Sequence, residues 1–296
     1  MTRPVTPALA FGVAALGIGL FSVMDAFMKS LVLAIGVYNG LFWRTAVSTG
    51  LGALLWRRGG AGWPTRATLR LHLARGGVTA AMALLFFWGL ARVPMAQAIA
   101  LCFVAPLLAI GMGAVVLGER IGRRVVIASG IAAAGVAVIL AGQAQARLGV
   151  EAFHGAIAVL AAAFIYAYNL ILMRQQGAHS SPLEVAALQN LVTFAALALV
   201  APMLGHRPTL AQVPVIATGA LLAVTAAVAF AWAYARAAAS ALAPSEYSGL
   251  LWAALCGFLF FGEVPRGATL AGAVLIVGGC LLAAREQSGA PAEAAL

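Results

Sequence analysis

Apolar residues run along this chain in ten stretches, at about residues 8–33, 37–56, 74–91, 94–117, 125–142, 153–173, 183–204, 212–234, 239–261 and 267–284. Each approaches the roughly 20 residues a helix needs to cross about 30 Å of hydrocarbon. The runs are continuously apolar and lack the ten-residue alternation of a membrane barrel, so they predict helices. Several connections are only a few residues long, which makes neighbouring helices antiparallel. The expected fold is an all-α polytopic membrane protein with ten transmembrane helices.

One pattern occurs twice. Ala91-Arg92 precedes Gly118-Glu119, and Ala235-Arg236 precedes Gly262-Glu263 at identical spacing, so one offset of 144 residues superimposes both pairs. Five spans precede the 143–152 connection and five follow it. Phe11-Gly12 near the start of span 1 also matches His154-Gly155 near the start of span 6. The expected organisation is a first five-helix repeat over 1–146, a second over 147–286 and a cytoplasmic tail over 287–296. Five is odd, so the copies are expected to be inverted, an arrangement that gives transporters two related gates around one site.

Charge distribution orients the chain. The connection from Arg57 to Arg75 contains five Arg, and the turn after span 4 holds Arg120, Arg123 and Arg124. Loops and termini on that side carry 12 Arg, against four (Arg92, Arg147, Arg207 and Arg266) on the other. The positive-inside rule makes both termini cytoplasmic in a bacterial inner membrane. Glu119 then lies at the cytoplasmic surface and Glu263 at the external one. Both glutamates read mainly as ties from a helix end to a neighbour, with a gate role as the sharper alternative.

Composition removes other classes. The chain is 64% apolar and 9% charged, with a mean hydropathy of +1.02, which leaves too little charge for a soluble surface. Its net charge of +10 sits in short loops, which argues against a nucleic-acid partner. Cys102, Cys256 and Cys280 fall inside apolar spans and read as small core residues, not metal ligands or disulfides. The first apolar run shows no clear cleavage site before the next span and reads as retained. No zinc-protease, serine-hydrolase or P-loop signature is present, and His72, His154, His179 and His206 all lie near loops. No enzyme, metal or cofactor is expected.

Pro94…Pro106…Leu117-Gly118-Glu119-Arg120, followed by Gly130 and Gly135, resembles the signature of the drug/metabolite transporter superfamily, EamA type. The second half repeats it as Pro244…Phe261-Gly262-Glu263…Gly272…Gly278-Gly279, with Val264-Pro265 replacing the basic residue. Asp25 and Lys29 in span 1 and Phe42-Trp43-Arg44 in span 2 also resemble that family. The resemblance, narrowest toward YddG-type aromatic amino-acid exporters, implies ten helices around a central cavity and export of metabolites or amino acids. The implied protein is a secondary transporter of neutral and aromatic amino acids working by alternating access. Export of other amphipathic metabolites or drugs, and an uncoupled facilitator or channel, remain alternatives. The implied partners are a small-molecule substrate and the lipid bilayer, with the protein a monomer.

Charges within a bilayer cost several kcal/mol unless paired or wet, so each is a site candidate. Asp25 and Arg44 lie at nearly the same depth on spans 1 and 2 and can pair. Lys29, at i+4, is a second partner for Asp25. That pairing either fixes the packing of spans 1 and 2 or lines the substrate path. Glu246 inside span 9, beside Tyr247 and Ser248, either recognises amines and protons or caps the span at the interface. Tyr166 and Asn169 share a face of span 6, with Tyr168 directed elsewhere. Phe86, Phe103, Pro106 and Trp252 complete the candidate cavity wall, with lipid contact or core packing as the alternative for each aromatic. Pro106 and Pro244 are expected hinges or kinks. Trp43, Trp56 and Trp63 read as interfacial anchors. Gly130, Gly135, Gly272 and Gly278 are expected to allow close helix contact.

Overall fold

A computed structural model describes residues 6–58, 63–117, 123–145, 149–177, 180–234, 236, 242 and 245–289. Gly118, Glu119, Arg120, Ala235 and Pro244 lie outside the described residues. All regular structure among the described residues is helical.

The helices are α1 (Pro7–Arg58), α2 (Arg66–Leu90), α3 (Met95–Cys102), α4 (Ala105–Leu117), α5 (Arg123–Gln145) and α6 (Gly149–Gly177). They continue with α7 (Pro182–Ala198), α8 (Ala201–Leu204), α9 (Val213–Tyr234), α10 (Ser248–Phe261) and α11 (Gly267–Gly289). Five helical runs among the described residues are long and apolar enough to cross a membrane, and four shorter apolar helices accompany them. Their outward faces carry exposed Leu16, Leu33, Leu221, Leu251 and Val274. Such a surface suits hydrocarbon and would aggregate in water. The interior is built largely of alanine, with Met28, Leu41, Leu90, Met95 and Leu101 as its larger fully buried side chains. α1 packs on α9, α7 and α10, α2 on α6 and α7, and α5 on α11.

Four boundaries depart from the sequence expectation, each for a local reason. Spans 1 and 2 form one helical run, α1, interrupted at Gly36 with φ 78° and ψ 159°. A positive φ at that point favours glycine and lets the two arms turn back on each other. The expected loop from Arg57 to Arg75 is helical from Arg66, because the Thr65 hydroxyl accepts the Thr68 N–H at 3.3 Å and caps α2. Arg75 is therefore a buried helix residue, not a loop charge. Span 4 divides into α3 and α4 at Phe103-Val104, since Pro106 has no N–H to donate to the carbonyl of Cys102. Span 9 is helical at Ser245-Glu246, turns at Tyr247 and resumes as α10. Glu246 thus precedes the long helix and is exposed.

Small residues set the closest helix contact. A Cβ on Gly135 of α5 would lie 2.6 Å from the Gly272 carbonyl oxygen of α11, and the converse distance is also 2.6 Å. Gly279 meets the Ala128 carbonyl oxygen in the same way at 2.7 Å, whereas Gly130 and Gly278 face open space. Gly135→Val is therefore expected to force α5 off α11 and destabilise the protein by about 1–3 kcal/mol, with Gly130→Val near neutral. Thermal unfolding of both variants in detergent checks this.

Candidate functional site

Asp25 on the first arm of α1 and Arg44 on the second face each other across the Gly36 break, within electrostatic reach but without a direct ion pair. Among the described residues Asp25 accepts no hydrogen bond, although it is 8% exposed. The buried Nε of Arg44 also has no hydrogen-bond partner. Its Nη1 lies 4.0 Å from the Met24 sulfur, and its guanidinium carbon 5.8 Å from the centroid of Phe87. Two opposite charges are thus held close with bonding capacity unspent. Desolvated groups of this kind are costly unless something supplies the missing bonds.

Aromatic and thiol groups surround the pair. Asp25 lies within electrostatic reach of Cys102 at the end of α3 and of Cys256 on α10. Cys102 lies similarly close to Tyr166 on α6. Phe103, freed from regular helix by the break before Pro106, stacks edge-on against Tyr247 at 5.5 Å and 79°. Tyr247 faces Cys280 of α11, whose thiol donates to the Phe103 carbonyl at 3.1 Å. Glu246 lies within electrostatic reach of Tyr166 and Tyr247. Asp25, Arg44, Phe103, Tyr166, Glu246 and Tyr247 therefore belong to one connected region, and Pro106 shapes it through the backbone.

The remaining candidates make contacts of their own. Phe86 packs edge-on against Phe87 at 5.2 Å, and it is Phe87, its buried neighbour, that meets Arg44. Trp252 covers Gly19 of α1, whose Cβ would sit 3.0 Å from the indole. Asn169 joins the region to a further polar group: its Oδ1 accepts from Arg75 Nε at 3.2 Å and from Thr79 Oγ1 at 3.4 Å, and Arg75 lies within electrostatic reach of Tyr166. A groove of about 470 Å³ lined by Val32, Gly36, Trp88, Arg92 and Glu151 lies at the α1 break.

Lys29 does not pair with Asp25, correcting the i, i+4 expectation. Its Nζ donates to the Glu263 carboxylate at 2.5 Å and to the Val93 carbonyl at 2.7 Å, and lies 5.0 Å from the Phe261 ring. The other Glu263 oxygen accepts the Met95 N–H at 2.7 Å, capping α3. The left-handed Gly262, at φ 64°, turns the chain so that Glu263 folds back onto α10. Helical spacing allowed Asp25 to reach Lys29, but long-range packing offered Lys29 a second carboxylate plus a carbonyl. Trp43 likewise acts as more than an interfacial anchor, since its indole N–H donates to the His206 carbonyl at 2.8 Å.

A second polar cluster was not legible as such. His72, expected near a loop, is fully buried in α2, bonded to Gln176 and, at 3.0 Å, to Glu184. Arg75 bonds Gln176 as well as Asn169. The available signal was weak: Gln176, Asn169 and Thr79 are polar residues on otherwise apolar helices.

Apolar helices with charges and aromatics gathered between them are an architecture used by transporters. The sequence model of the EamA-like transporter family matches residues 8–141 and again residues 153–285. The chain belongs to this family. It is 27% identical over 269 residues, 91% of this chain and 93% of the relative, to the pseudopaline exporter CntI of Pseudomonas aeruginosa. It is 29% identical over 212 residues, 70% of each chain, to a probable terminal-alkyne amino-acid exporter of Streptantibioticus cattleyicolor. A protein of known crystal structure shares the fold with a TM-score of 0.63 over 95% of this chain and 99% of its own, at 21% identity.

Proposed function

We propose that this protein exports small amino-acid-like metabolites, neutral and aromatic amino acids foremost, across the bacterial inner membrane by alternating access. The observation that carries the reading is the Asp25–Arg44 arrangement: opposite charges facing each other without a direct ion pair, beside Phe87, Cys102 and Tyr166. An α-amino acid carries an ammonium and a carboxylate on one carbon, two bonds apart. Asp25 takes the first and Arg44 the second, each as a charge-assisted hydrogen bond. The Phe103–Tyr247 pair supplies an edge against which an apolar or aromatic side chain packs. Its relatives support metabolite export, and one of them is an amino-acid exporter by name.

Two separate family matches support ten helices arranged as two five-helix copies, 1–146 and 147–286. Exposed Arg57, Arg58, Arg66 and Arg70 at the α1–α2 connection support a cytoplasmic placement for that face and hence for both termini. The protein works as a monomer, with substrate and lipid as its partners. The test is transport by the purified protein in liposomes with labelled phenylalanine and leucine, with and without a pH gradient. Saturable flux is expected; no amino-acid flux under any condition sinks the reading.

A further inference from the structure

We propose that His72 is a proton-binding site whose occupancy opens the arginine-rich face of the protein. The starting point is a donor and acceptor count around Gln176, which is buried between α2 and α6. Arg75 Nη1 donates to Gln176 Oε1. A guanidinium has only donors, so the amide oxygen must be the atom facing it, whichever way the amide is drawn. The amide nitrogen therefore faces His72 and donates to its Nδ1. Nδ1 must then be an acceptor, and the one ring proton sits on Nε2. From there it donates to Glu184 Oε1 at 3.0 Å, with Ser180 Oγ 3.3 Å away. The closed packing accepts only the neutral imidazole.

A second proton on Nδ1 puts two donors face to face. The amide can turn to offer its oxygen to Nδ1–H, but its nitrogen then points at the Arg75 guanidinium, and the Arg75–Gln176 bond is lost. One proton thus forces a choice between two bonds that hold α2 to α6. Glu184 and Ser180 form their own bond at 2.9 Å, and Ser181 caps α7 through the Glu184 N–H at 3.2 Å, so α7 is tied to the same ring. The charged and titratable groups around His72 on the packed elements are Arg75 of α2, linked through Gln176, Glu184 of α7 and, through Arg75, Tyr166 of α6. Arg75 opposes a cation at His72 while Gln176 links them. Separating α2 from α6 lets water solvate both cations and accept from the imidazolium Nδ1–H, while Glu184 still accepts from Nε2–H. A proton therefore binds the opened arrangement better than the closed one and shifts the population toward it. The exposed Arg57, Arg58, Arg66 and Arg70 lie at this end, which makes it the face from which a cytoplasmic substrate enters.

The inference takes its place in a transport cycle from the proposed function, but its test does not depend on flux. Spin labels on cysteines placed at the exposed Arg70 of α2 and Gln175 of α6 report the separation of the two helices. They are introduced into the full chain with Cys102, Cys256 and Cys280 changed to alanine. In this otherwise unaltered background the longer-distance population is expected to grow as pH falls from about 8 to about 5.5. His72→Gln is expected to lose the response. In Gln176→Glu a carboxylate accepts from Arg75 and from the imidazolium together, so the short distance is expected at both pH values. A pH-independent distance without these two changes, or an undiminished response in either variant, overturns the proposal. Intact pH response with no amino-acid flux by the unaltered protein overturns the proposed function instead and leaves this site standing.

Discussion

Glu263→Gln is expected to destabilise the protein by about 3–5 kcal/mol, because it leaves the Lys29 ammonium buried without its counter-charge. The side chains of Lys29 and Glu263 are 6% and 18% exposed, so water compensates little of the loss. The substitution is selective. A glutamine oxygen still accepts the Met95 N–H that Glu263 accepts at 2.7 Å, so α3 keeps its cap while the charge disappears. Lys29→Met in the same background removes the orphaned ammonium and is expected to restore most of the stability. Thermal or denaturant unfolding of the two single variants and the double variant gives the coupling directly. Single-variant losses below about 1 kcal/mol would mean that the pair behaves like a surface contact. The effect matters because this one contact joins α1, the α2–α3 turn and the α10–α11 turn, elements far apart in the chain.

That contact also marks the limit of what the sequence discloses. The apolar runs located nearly every helix, because twenty apolar residues have few alternatives in a bilayer. Pro106 announced the break between α3 and α4, since a missing N–H acts on the backbone one turn away whatever the surroundings. Gly262-Glu263 stood out as half of a repeated string, and its reading as a tie from one helix end to a neighbour matches its bond to Met95. The partner of Glu263 was another matter. Lys29 lies 234 residues away, and spacing on one helix pointed it at Asp25 instead. The His72 cluster was hidden for the same reason: α2, α6 and α7 each contribute one to three ordinary polar residues, and only their packing makes a network. Arg75 looked like a topology signal although the local Thr65–Thr68 cap starts α2 nine residues ahead of it, because the apolar run begins only beside it. Local chemistry was legible where the backbone alone decides it. Side-chain partnership was not.

Asp25→Asn is expected to lower transport efficiency for phenylalanine by about 10- to 100-fold, the worth of one hydrogen bond to a charged group. The size of the loss says less than its pattern across substrates. If Asp25 holds the ammonium and Arg44 the carboxylate, the unaltered protein prefers phenylalanine both to 3-phenylpropionate, which lacks the amine, and to phenethylamine, which lacks the carboxylate. Asp25→Asn then abolishes the first preference and leaves the second, while Arg44→Gln does the reverse. A merely structural pair predicts another result, because weakened packing of the two α1 arms lowers all three fluxes together and preserves both preferences. Exchanging the residues, Asp25→Arg with Arg44→Asp, separates the readings again. A structural pair survives the exchange with much of its flux. A binding pair must turn the zwitterion end for end, which swings the aromatic ring away from Phe103 and Tyr247, so flux stays low while folding is retained. Competition by the two analogues against labelled phenylalanine in liposomes measures every arm, and unchanged preferences in Asp25→Asn would remove Asp25 from the substrate path.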